Sequence, residues 1–370
     1  MILPNTVQAG HNKSLLFLDN SVSNDTYIPS NKENQIEVAF ELAAKEIKAS
    51  FPNCKINFLK RIERSDQLNI FKQVEKIKLN LKPDSTIIIG LIHSSEAILA
   101  AKAFEKTSFQ VLSSGATTEK LNDLNPNFFT LSNPVSTFVD QIENFVKLKK
   151  SKFILSLSPG SSSYAKEFSQ ALKLAISKSS MQFEEYEFNP SNIENDLYKI
   201  ISKINKADII YAPGFIQQSL AAVSYINKIS PSKIIIGTPN WGRSIPDLVN
   251  FYQKLKITSS NIYFPVSWSI GETKNSTSFE TKFKNKINEQ PMGTSVYTYD
   301  AAIIAGNYLC NVEKVEPITF SNFLTKLKFT NNTVRKYQKL DHGHMKSNIT
   351  MVKFNGTNIL APIIDKVENH

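Results

Sequence analysis

The chain has 370 residues, 41% of them hydrophobic, and a formal net charge of +10 at pH 7. This length is enough for two domains of ordinary size with packed cores. No apolar run reaches the roughly 18 residues of a membrane-spanning helix, so direct membrane insertion is not expected. The positive charge comes mainly from scattered lysines, whereas nucleic-acid-binding proteins cluster Lys and Arg on one face with aromatic residues between them. Nucleic acid is therefore not expected as a partner.

Apolar runs and helical spacings alternate along the chain. Strands are predicted over residues 14–18, 55–59, 87–92, 109–113, 125–130, 152–157, 183–188, 209–212 and 233–237. Helices are predicted over residues 36–47, 68–79, 164–177, 193–204, 217–229 and 298–309. The tail from residue 330 is predicted to form strands with turns at 341–343 and 355–356. This alternation predicts an α/β fold of doubly wound parallel sheets.

Two neighbouring segments, 87–97 and 109–118, each predict a buried strand that runs into small hydroxyl residues opening a helix. In open α/β sheets, ligands bind beyond the carboxyl ends of such strands. Helix N-termini favour an anion, and Ser94, Ser95 and Thr117 add hydroxyls that donate or accept hydrogen bonds. The pattern predicts one pocket wall suited to a carboxylate. The alternative is that these residues only cap their helices.

Cys54 and Cys310 are the only cysteines and lack metal-type spacing. Two buried thiols are expected, although a disulfide is permitted if the protein is exported. Asp341, His342 and His344 are a candidate metal site, for which a solvated turn between tail strands is the preferred interpretation. No metal and no cofactor are therefore predicted.

Catalytic motifs are scarce. The phosphate-binding loop, the dinucleotide-binding glycine motif and the Gly-x-Ser-x-Gly nucleophile motif are missing. His93 is a candidate general base for Ser94, but a base needs an orienting partner and the sequence names none. An α/β hydrolytic enzyme using this pair remains an alternative, and the chain is not expected to be an enzyme.

Six segments together resemble the type I periplasmic solute-binding proteins of the leucine/isoleucine/valine-binding kind. In chain order they are IGLIHSS at 89–95, SSGAT at 113–117, NPNFFT at 125–130, DIIYAPGF at 208–215, IGTPNWG at 236–242 and YTYDAA at 297–302. Each segment is weak evidence alone. Their order and spacing across nearly the whole chain make the resemblance fairly specific.

The resemblance implies two lobes joined by a three-crossing hinge, with residues 1–132 plus 267–338 as lobe 1 and 133–266 plus 339–370 as lobe 2. It implies a protein that closes on a small molecule and hands it to the membrane permease of an ABC importer. A periplasmic or extracytoplasmic location follows, with a lipid anchor as an option before processing. Residues 1–5 show no leader, so a removed signal peptide is one interpretation.

The resemblance also implies residue roles. The Ser94 hydroxyl would hold a ligand carboxylate, the Gly115 carbonyl would accept from a ligand amine, and Thr117 would offer its N–H and hydroxyl. Tyr164 would cover the ligand, and Phe215 falls where a tyrosine is usual. The full set of predicted ligand-binding residues is His93, Ser94, Ser95, Gly115, Ala116, Thr117, Tyr164, Phe215, Asn240 and Trp241.

One loop departs from the family. Amino-acid-binding members carry an acidic residue there, whereas this chain has Thr238, Pro239, Asn240 and Trp241. A buried ammonium without a carboxylate partner is costly, so the ligand is either amino-acid-like or an analogue that lacks the ammonium. A ligand-sensing receptor domain of the same fold is the alternative role. Tyr27 is a further candidate for reaching the cleft.

Overall fold

The computed structural model describes residues 13–19, 32–62, 67–243, 245–268, 271, 273–311, 319–327, 333–357 and 359–360. The predictions made for residues 1–5 and for Tyr27 lie outside the described residues. The first 12 residues of predicted lobe 1 and the last 10 residues of predicted lobe 2 lie outside them too. Among the described residues, no helix is both long and apolar enough to cross a membrane.

Strands and helices alternate as the apolar spacing predicts. The strands are β1 (Lys13–Asp19), β2 (Ile56–Ile62), β3 (Thr86–Gly90), β4 (Gln110–Ser113), β5 (Phe128–Thr130), β6 (Phe153–Pro159), β7 (Gln182–Phe188), β8 (Ile209–Tyr211), β9 (Ile234–Ile236), β10 (Ile262–Val266), β11 (Tyr337–Asp341), β12 (His344–Ser347), β13 (Thr350–Phe354) and β14 (Ile359–Leu360). The helices are α1 (Lys32–Ser50), α2 (Gln67–Asn80), α3 (Ser94–Ala103), α4 (Leu121–Leu124), α5 (Val135–Leu148), α6 (Ser163–Ile176), α7 (Ile193–Tyr198), α8 (Ile201–Lys206), α9 (Ile216–Ile229), α10 (Ile245–Lys254), α11 (Lys274–Ile287), α12 (Gly293–Asn311) and α13 (Phe320–Thr325).

The strands form two seven-stranded sheets with the same order at their centres. Sheet 1 contains β2-β1-β3-β4-β5 and sheet 2 contains β7-β6-β8-β9-β10, with every neighbouring pair in these runs parallel. Each sheet has apolar side chains packed on both faces against helices. The predicted fold of two doubly wound α/β lobes is confirmed. The tail adds antiparallel pairs, which make both sheets mixed.

Within the described residues, the chain passes between the sheets three times: between β5 and α5, between β10 and α11, and between β12 and β13. The last passage lies between Ser347 and Thr350, because β11 and β12 belong to sheet 1. The predicted division after residue 338 therefore differs from the change of sheet. Alternating apolar residues predict that a tail segment is a strand, but they do not specify which sheet it joins.

Helix α12 is the centre of lobe 1. All of its residues from Gly293 to Gly306 are buried, and it packs against α1. Gly306 permits this approach, because a Cβ at that position would overlap the Ile47 side chain. A helix that is buried on all sides has to lie inside a core rather than on its surface.

Cys54 and Cys310 form a disulfide between the end of α12 and the turn that precedes β2. The expectation of two buried thiols is wrong. The two residues are 256 positions apart, and they meet only because α12 returns beside α1. Nothing local in the sequence indicates that return.

Lobe 2 has one departure from the predicted helices. The apolar spacing over 193–204 predicts one helix, whereas the structure has α7 and α8 with a break at Lys199 and Ile200. Leu197, Ile200 and Ile204 all lie in the same core cluster. The apolar spacing is therefore kept across the break, which hides the break in the sequence.

The first and third passages between the lobes are tied together by Arg335. Its guanidinium donates from Nη1 to the Leu131 carbonyl at 3.1 Å and from Nη2 to the Ser347 hydroxyl at 2.5 Å. The Asn133 side-chain carbonyl accepts from the Ser347 N–H at 2.9 Å. The guanidinium also lies over the Tyr297 ring, 4.4 Å from its centroid. These contacts fix the hinge segments relative to lobe 1.

Candidate functional site

The first wall of the cleft begins where β3 ends. Gly90 and Leu91 have positive φ angles of 109° and 51°. The Leu91 N–H donates to the Leu18 carbonyl at 3.0 Å, and a Cβ on Gly90 would overlap that same carbonyl. The left-handed conformation is unfavourable for leucine, and strained backbone of this kind concentrates at functional sites. The tight turn delivers His93 and Ser94 to the edge of the sheet.

Ser94 and Thr117 are adjacent across the ends of β3 and β4. The Thr117 N–H donates to Ser94 Oγ at 3.2 Å. Ser94 does not cap α3, because His93 holds the N-cap position. The Thr117 hydroxyl is buried and makes no hydrogen bond among the described residues. Ser95, also predicted to bind ligand, is exposed on the first turn of α3.

The prediction of two helix N-termini at this wall is half correct. Ser94 is the first residue of α3, but Thr117 lies in a loop ahead of the four-residue α4. Apolar runs followed by hydroxyl residues look alike in both segments. The second segment uses its hydroxyl differently: Ser113 Oγ accepts from the Ala116 N–H at 3.1 Å and donates to the Leu91 carbonyl at 2.8 Å.

Gly115 and Ala116 also lie on this wall. Both polar backbone atoms of Ala116 bond within lobe 1, because its carbonyl accepts from the Thr130 hydroxyl at 2.8 Å. The Gly115 carbonyl instead faces lobe 2, where it accepts from Arg243 Nη2 at 2.7 Å. Charge-assisted hydrogen bonds are the stronger kind, so this bond ties the two lobes together across the cleft.

Aromatic rings form the second wall. Tyr164 and Phe215 are stacked with centroids 5.1 Å apart, and His93 of lobe 1 meets the Phe215 ring edge-on at 6.5 Å. Burial raises the pKa of Tyr164 to about 12. Its hydroxyl lies beside Thr238 and the Asn240 backbone without a hydrogen bond of good geometry to the described residues. Tyr164, Phe215 and His93 are therefore brought together where the lobes meet.

Trp241 is placed in the core of lobe 2. It is fully buried, its ring lies 6.3 Å from that of Phe264, and it covers Gly237 so closely that a Cβ there would overlap the indole. Trp241 is one of the predicted ligand-binding residues, and its side chain packs within the hydrophobic core of lobe 2. Asn240 is half-buried, and its carbonyl accepts from the Arg243 N–H at 3.1 Å.

Arg243 was missed by the sequence analysis. It is one of four arginines in a lysine-rich chain, and it directly follows the 236–242 segment that carries the resemblance. This position next to a conspicuous segment is the sequence feature that could have indicated a role for Arg243 at the cleft. Its contact with Gly115 spans 128 residues, so only the fold reveals it.

A second contact across the cleft involves an acidic group. Glu167 of α6 lies beside the Thr118 hydroxyl of lobe 1, and burial raises the pKa of this carboxyl. Lys120 lies close enough to oppose that rise. The lobes therefore meet through charged and polar side chains at both Gly115 and Thr118.

The tail histidines do not form a metal site. His342 is exposed in the turn between β11 and β12, whereas His344 is buried with Nδ1 2.9 Å from the Ser132 carbonyl. The interpretation of a solvated turn holds for His342 and is wrong for His344, whose side chain packs at the first passage between the lobes. Among the described residues, no group of His, Cys, Asp and Glu has an arrangement that would hold a metal ion.

A sequence model described as the receptor family ligand binding region matches residues 35–358, which is most of the chain. No curated protein sequence matches the chain.

Solved structures share the fold at low identity. The branched-chain amino acid transporter substrate-binding protein LivJ from Streptococcus pneumoniae, in complex with isoleucine, is 18% identical with a TM-score of 0.75, covering 95% of this chain and 98% of its own. The leucine-binding protein LivK from Thermotoga maritima is 12% identical with a TM-score of 0.75, covering 95% and 98%. An ABC transporter solute-binding protein from R. palustris, in complex with 4-hydroxybenzoate, is 14% identical with a TM-score of 0.76, covering 95% and 96%. At these identities the likeness establishes a common two-lobe fold.

Proposed function

Because the chain belongs to the receptor family ligand binding region family, we propose that it is an extracytoplasmic solute-binding protein. It captures a small polar or carboxylate-bearing molecule between its lobes and delivers it to the membrane permease of an ABC importer. The family is defined by ligand binding, in line with the expectation that the chain is not an enzyme. Solved structures of the same fold include ABC transporter binding proteins for isoleucine and 4-hydroxybenzoate.

The observation that carries the proposal is the hydrogen bond from Arg243 Nη2 to the Gly115 carbonyl, which joins the lobes at 2.7 Å. It lies at the loop where Thr117 and Ser94 are paired and where a buried hydroxyl has no partner among the described residues. A ligand that contacts both walls stabilises the closed state, because only that state makes both sets of contacts. Exclusion of water strengthens the hydrogen bonds made inside.

The Cys54–Cys310 disulfide supports the proposed compartment. Disulfides persist in the periplasm and outside the cell, and they are rare in the cytosol. A lipid anchor before processing remains part of the proposal.

A thermal-unfolding screen tests the proposal. The panel holds amino acids, the corresponding acids without the ammonium, amides and small aromatic acids. A ligand at a hundred times its dissociation constant should raise the free energy of unfolding by about 2.7 kcal/mol. Small-angle scattering with and without the hit should show that the ligand favours the closed form. If no member of any class raises the unfolding temperature, the chain is not a binding protein for small polar solutes.

The second candidate role is a ligand-sensing receptor domain of the same fold, which the receptor description of the family favours. Transport and sensing differ in the partner. Deletion of the gene distinguishes them: uptake of the screen hit should stop if an importer depends on this binding protein, and it should continue if the protein is a sensor.

A further inference from the structure

Arg243 is held at the cleft by its backbone as well as by its side chain. Its N–H donates to the Asn240 carbonyl at 3.1 Å, and its carbonyl accepts from the Gly293 N–H of lobe 1 at 2.8 Å. The guanidinium donates to the Gly115 carbonyl at 2.7 Å. A half-buried arginine fixed at three points has a defined position, unlike an arginine on a solvated surface.

We propose that Arg243 determines the charge of the ligand: the cleft takes a carboxylate that lacks an ammonium on the neighbouring carbon. This inference rests on the proposed function, and it deepens that function by naming the ligand class. The residue that would select the class is Arg243, since the loop before it carries no acidic side chain.

The first step of the argument concerns the Gly115 carbonyl. A carbonyl that faces the cleft could accept from a ligand N–H, but here the guanidinium occupies it. An ammonium at the same carbonyl would sit beside a permanently charged guanidinium, and like charges at such distances repel. The guanidinium of Arg243 therefore occupies the acceptor that a ligand ammonium would use, and its charge weakens the binding of any ligand that carries an ammonium.

The second step concerns the charges that face this position. Arg243 and Glu167 both lie close enough to Tyr164 to affect its hydroxyl. The Glu167 carboxylate, however, lies beside the Thr118 hydroxyl and close to Lys120. Among the described residues, no carboxylate forms a salt bridge with Arg243, so a ligand carboxylate would supply a counter-charge at the guanidinium.

The third step concerns donors. A guanidinium carries five N–H donors, and one of them reaches Gly115. Ser94 Oγ accepts from the Thr117 N–H and keeps its own proton to donate. The Thr117 hydroxyl is a further donor with no partner among the described residues. These groups suit the two oxygens of a carboxylate, and the stacked Tyr164 and Phe215 rings offer an apolar face to the rest of the molecule.

The test uses matched pairs that differ only in the ammonium: 4-methylpentanoate with leucine, and 3-phenylpropanoate with phenylalanine. Each compound that raises the unfolding temperature in the screen is included as a further pair, together with the analogue that differs from it only in the ammonium. Affinities are measured by calorimetry for the wild type, Arg243→Gln, Arg243→Lys and Lys254→Gln. Lys254 is an exposed residue at the end of α10, so its variant controls for the loss of one positive charge.

The wild type should bind the acid at least tenfold more tightly than its ammonium-bearing counterpart. Arg243→Gln should weaken acid binding at least tenfold and narrow that preference. Arg243→Lys should retain most of the preference for the acid, because the positive charge is kept. Ligand binding by this variant would also show that a substitution at residue 243 leaves the site folded. Lys254→Gln should match the wild type.

Two results would overturn the inference while leaving the proposed function intact. One is a hit that carries an ammonium and binds more tightly than its deaminated counterpart. The other is a hit, acidic or neutral, whose affinity is unchanged in Arg243→Gln. Failure of every solute in the screen would instead overturn both the proposed function and this inference.

Discussion

Thr117 has a hydroxyl that is buried without a hydrogen-bond partner among the described residues. Replacing such a group by an apolar group of the same shape is close to neutral for folding, because no hydrogen bond is lost. If the hydroxyl serves a ligand, the same replacement costs binding free energy. A substitution at this residue can therefore lower ligand affinity without lowering the stability of the fold.

Thr117→Val should leave the unfolding temperature unchanged or slightly raised, while ligand affinity falls by about 1–3 kcal/mol. Calorimetry and thermal unfolding measure the two effects. Ser108→Ala, at an exposed hydroxyl just before β4, should change neither. Loss of stability in Thr117→Val with full affinity would show that the hydroxyl serves the fold and not the ligand.

Asp300 is a fully buried carboxyl in α12 that accepts from the Val334 N–H at 2.7 Å, the Arg335 N–H at 3.1 Å and the Tyr337 hydroxyl at 2.9 Å. Burial outweighs these bonds and raises its pKa from 3.8 to about 6. The folded state therefore holds the proton more tightly than the unfolded state. The contribution of Asp300 to stability is greatest below its unfolded pKa and falls as the pH rises through its folded pKa.

The loss amounts to about 3 kcal/mol between pH 3.5 and pH 7, from roughly two units of pKa at 1.36 kcal/mol each. Denaturant unfolding of the wild type and Asp300→Asn across this range measures it, because the other carboxyls titrate in both proteins and cancel. The wild-type advantage over the variant should shrink as the pH rises. An advantage that grows would mean that the hydrogen bonds outweigh burial.

At the scale of elements, the segment after β9 depends on a glycine. Trp241 packs directly over Gly237, and a Cβ there would overlap the indole. The 3-10 turn Pro239–Gly242 holds the indole in place and leads to Arg243. The core of lobe 2 and the cleft are thus coupled through one short segment.

Gly237→Ala should destabilise the protein by about 1–3 kcal/mol, the usual cost of overpacking a core. It should also weaken ligand binding, because the displaced turn carries Arg243. Gly160→Ala is the matched control: it follows β6 in the same lobe, and its Cβ would meet only ordinary contacts at 3.5 Å or more. Equal effects in the two variants would contradict the proposed coupling.

The sequence predicts nine of the ten strands in the two parallel runs and misses β10, Ile262–Val266. Short apolar runs bounded by turn residues are typical of buried parallel strands, which is why the other nine are found. The sequence also names Ser94, Thr117, Tyr164 and Phe215, which the structure places at the facing walls of the two lobes. It misses the contact of Arg243 with Gly115 because the two residues are neighbours only when the lobes are assembled. A contact between residues so far apart in the chain produces no periodic pattern in the sequence from which it could be predicted.

At the scale of the whole molecule, the disulfide fastens lobe 1 at the end opposite the cleft. Cys54 precedes β2, and Cys310 is near the end of α12, whereas the proposed ligand-binding residues follow the carboxyl ends of the strands. Stability and binding should therefore respond differently to its removal.

The double variant Cys54→Ser, Cys310→Ser should lower the free energy of unfolding by about 2–5 kcal/mol, as for a bridge that closes a long loop. Ligand affinity at a temperature where the variant remains folded should change less than twofold. Denaturant unfolding and calorimetry test both statements, and addition of a reductant to the wild type should reproduce the variant. A large loss of affinity in the folded variant would mean that the bridge shapes the cleft.

The return of α12 into lobe 1 has a consequence for biosynthesis. The parallel strands of sheet 2 all come from residues 153–266, so that lobe can gather its own strands as soon as they emerge. The half of the protein that is made first has to wait for α12 and β12 before its interior is complete. Contacts of such wide separation form slowly. The strands that are synthesised first thus wait longest for the elements that cover them, and they are the part most dependent on protection from aggregation in the meantime.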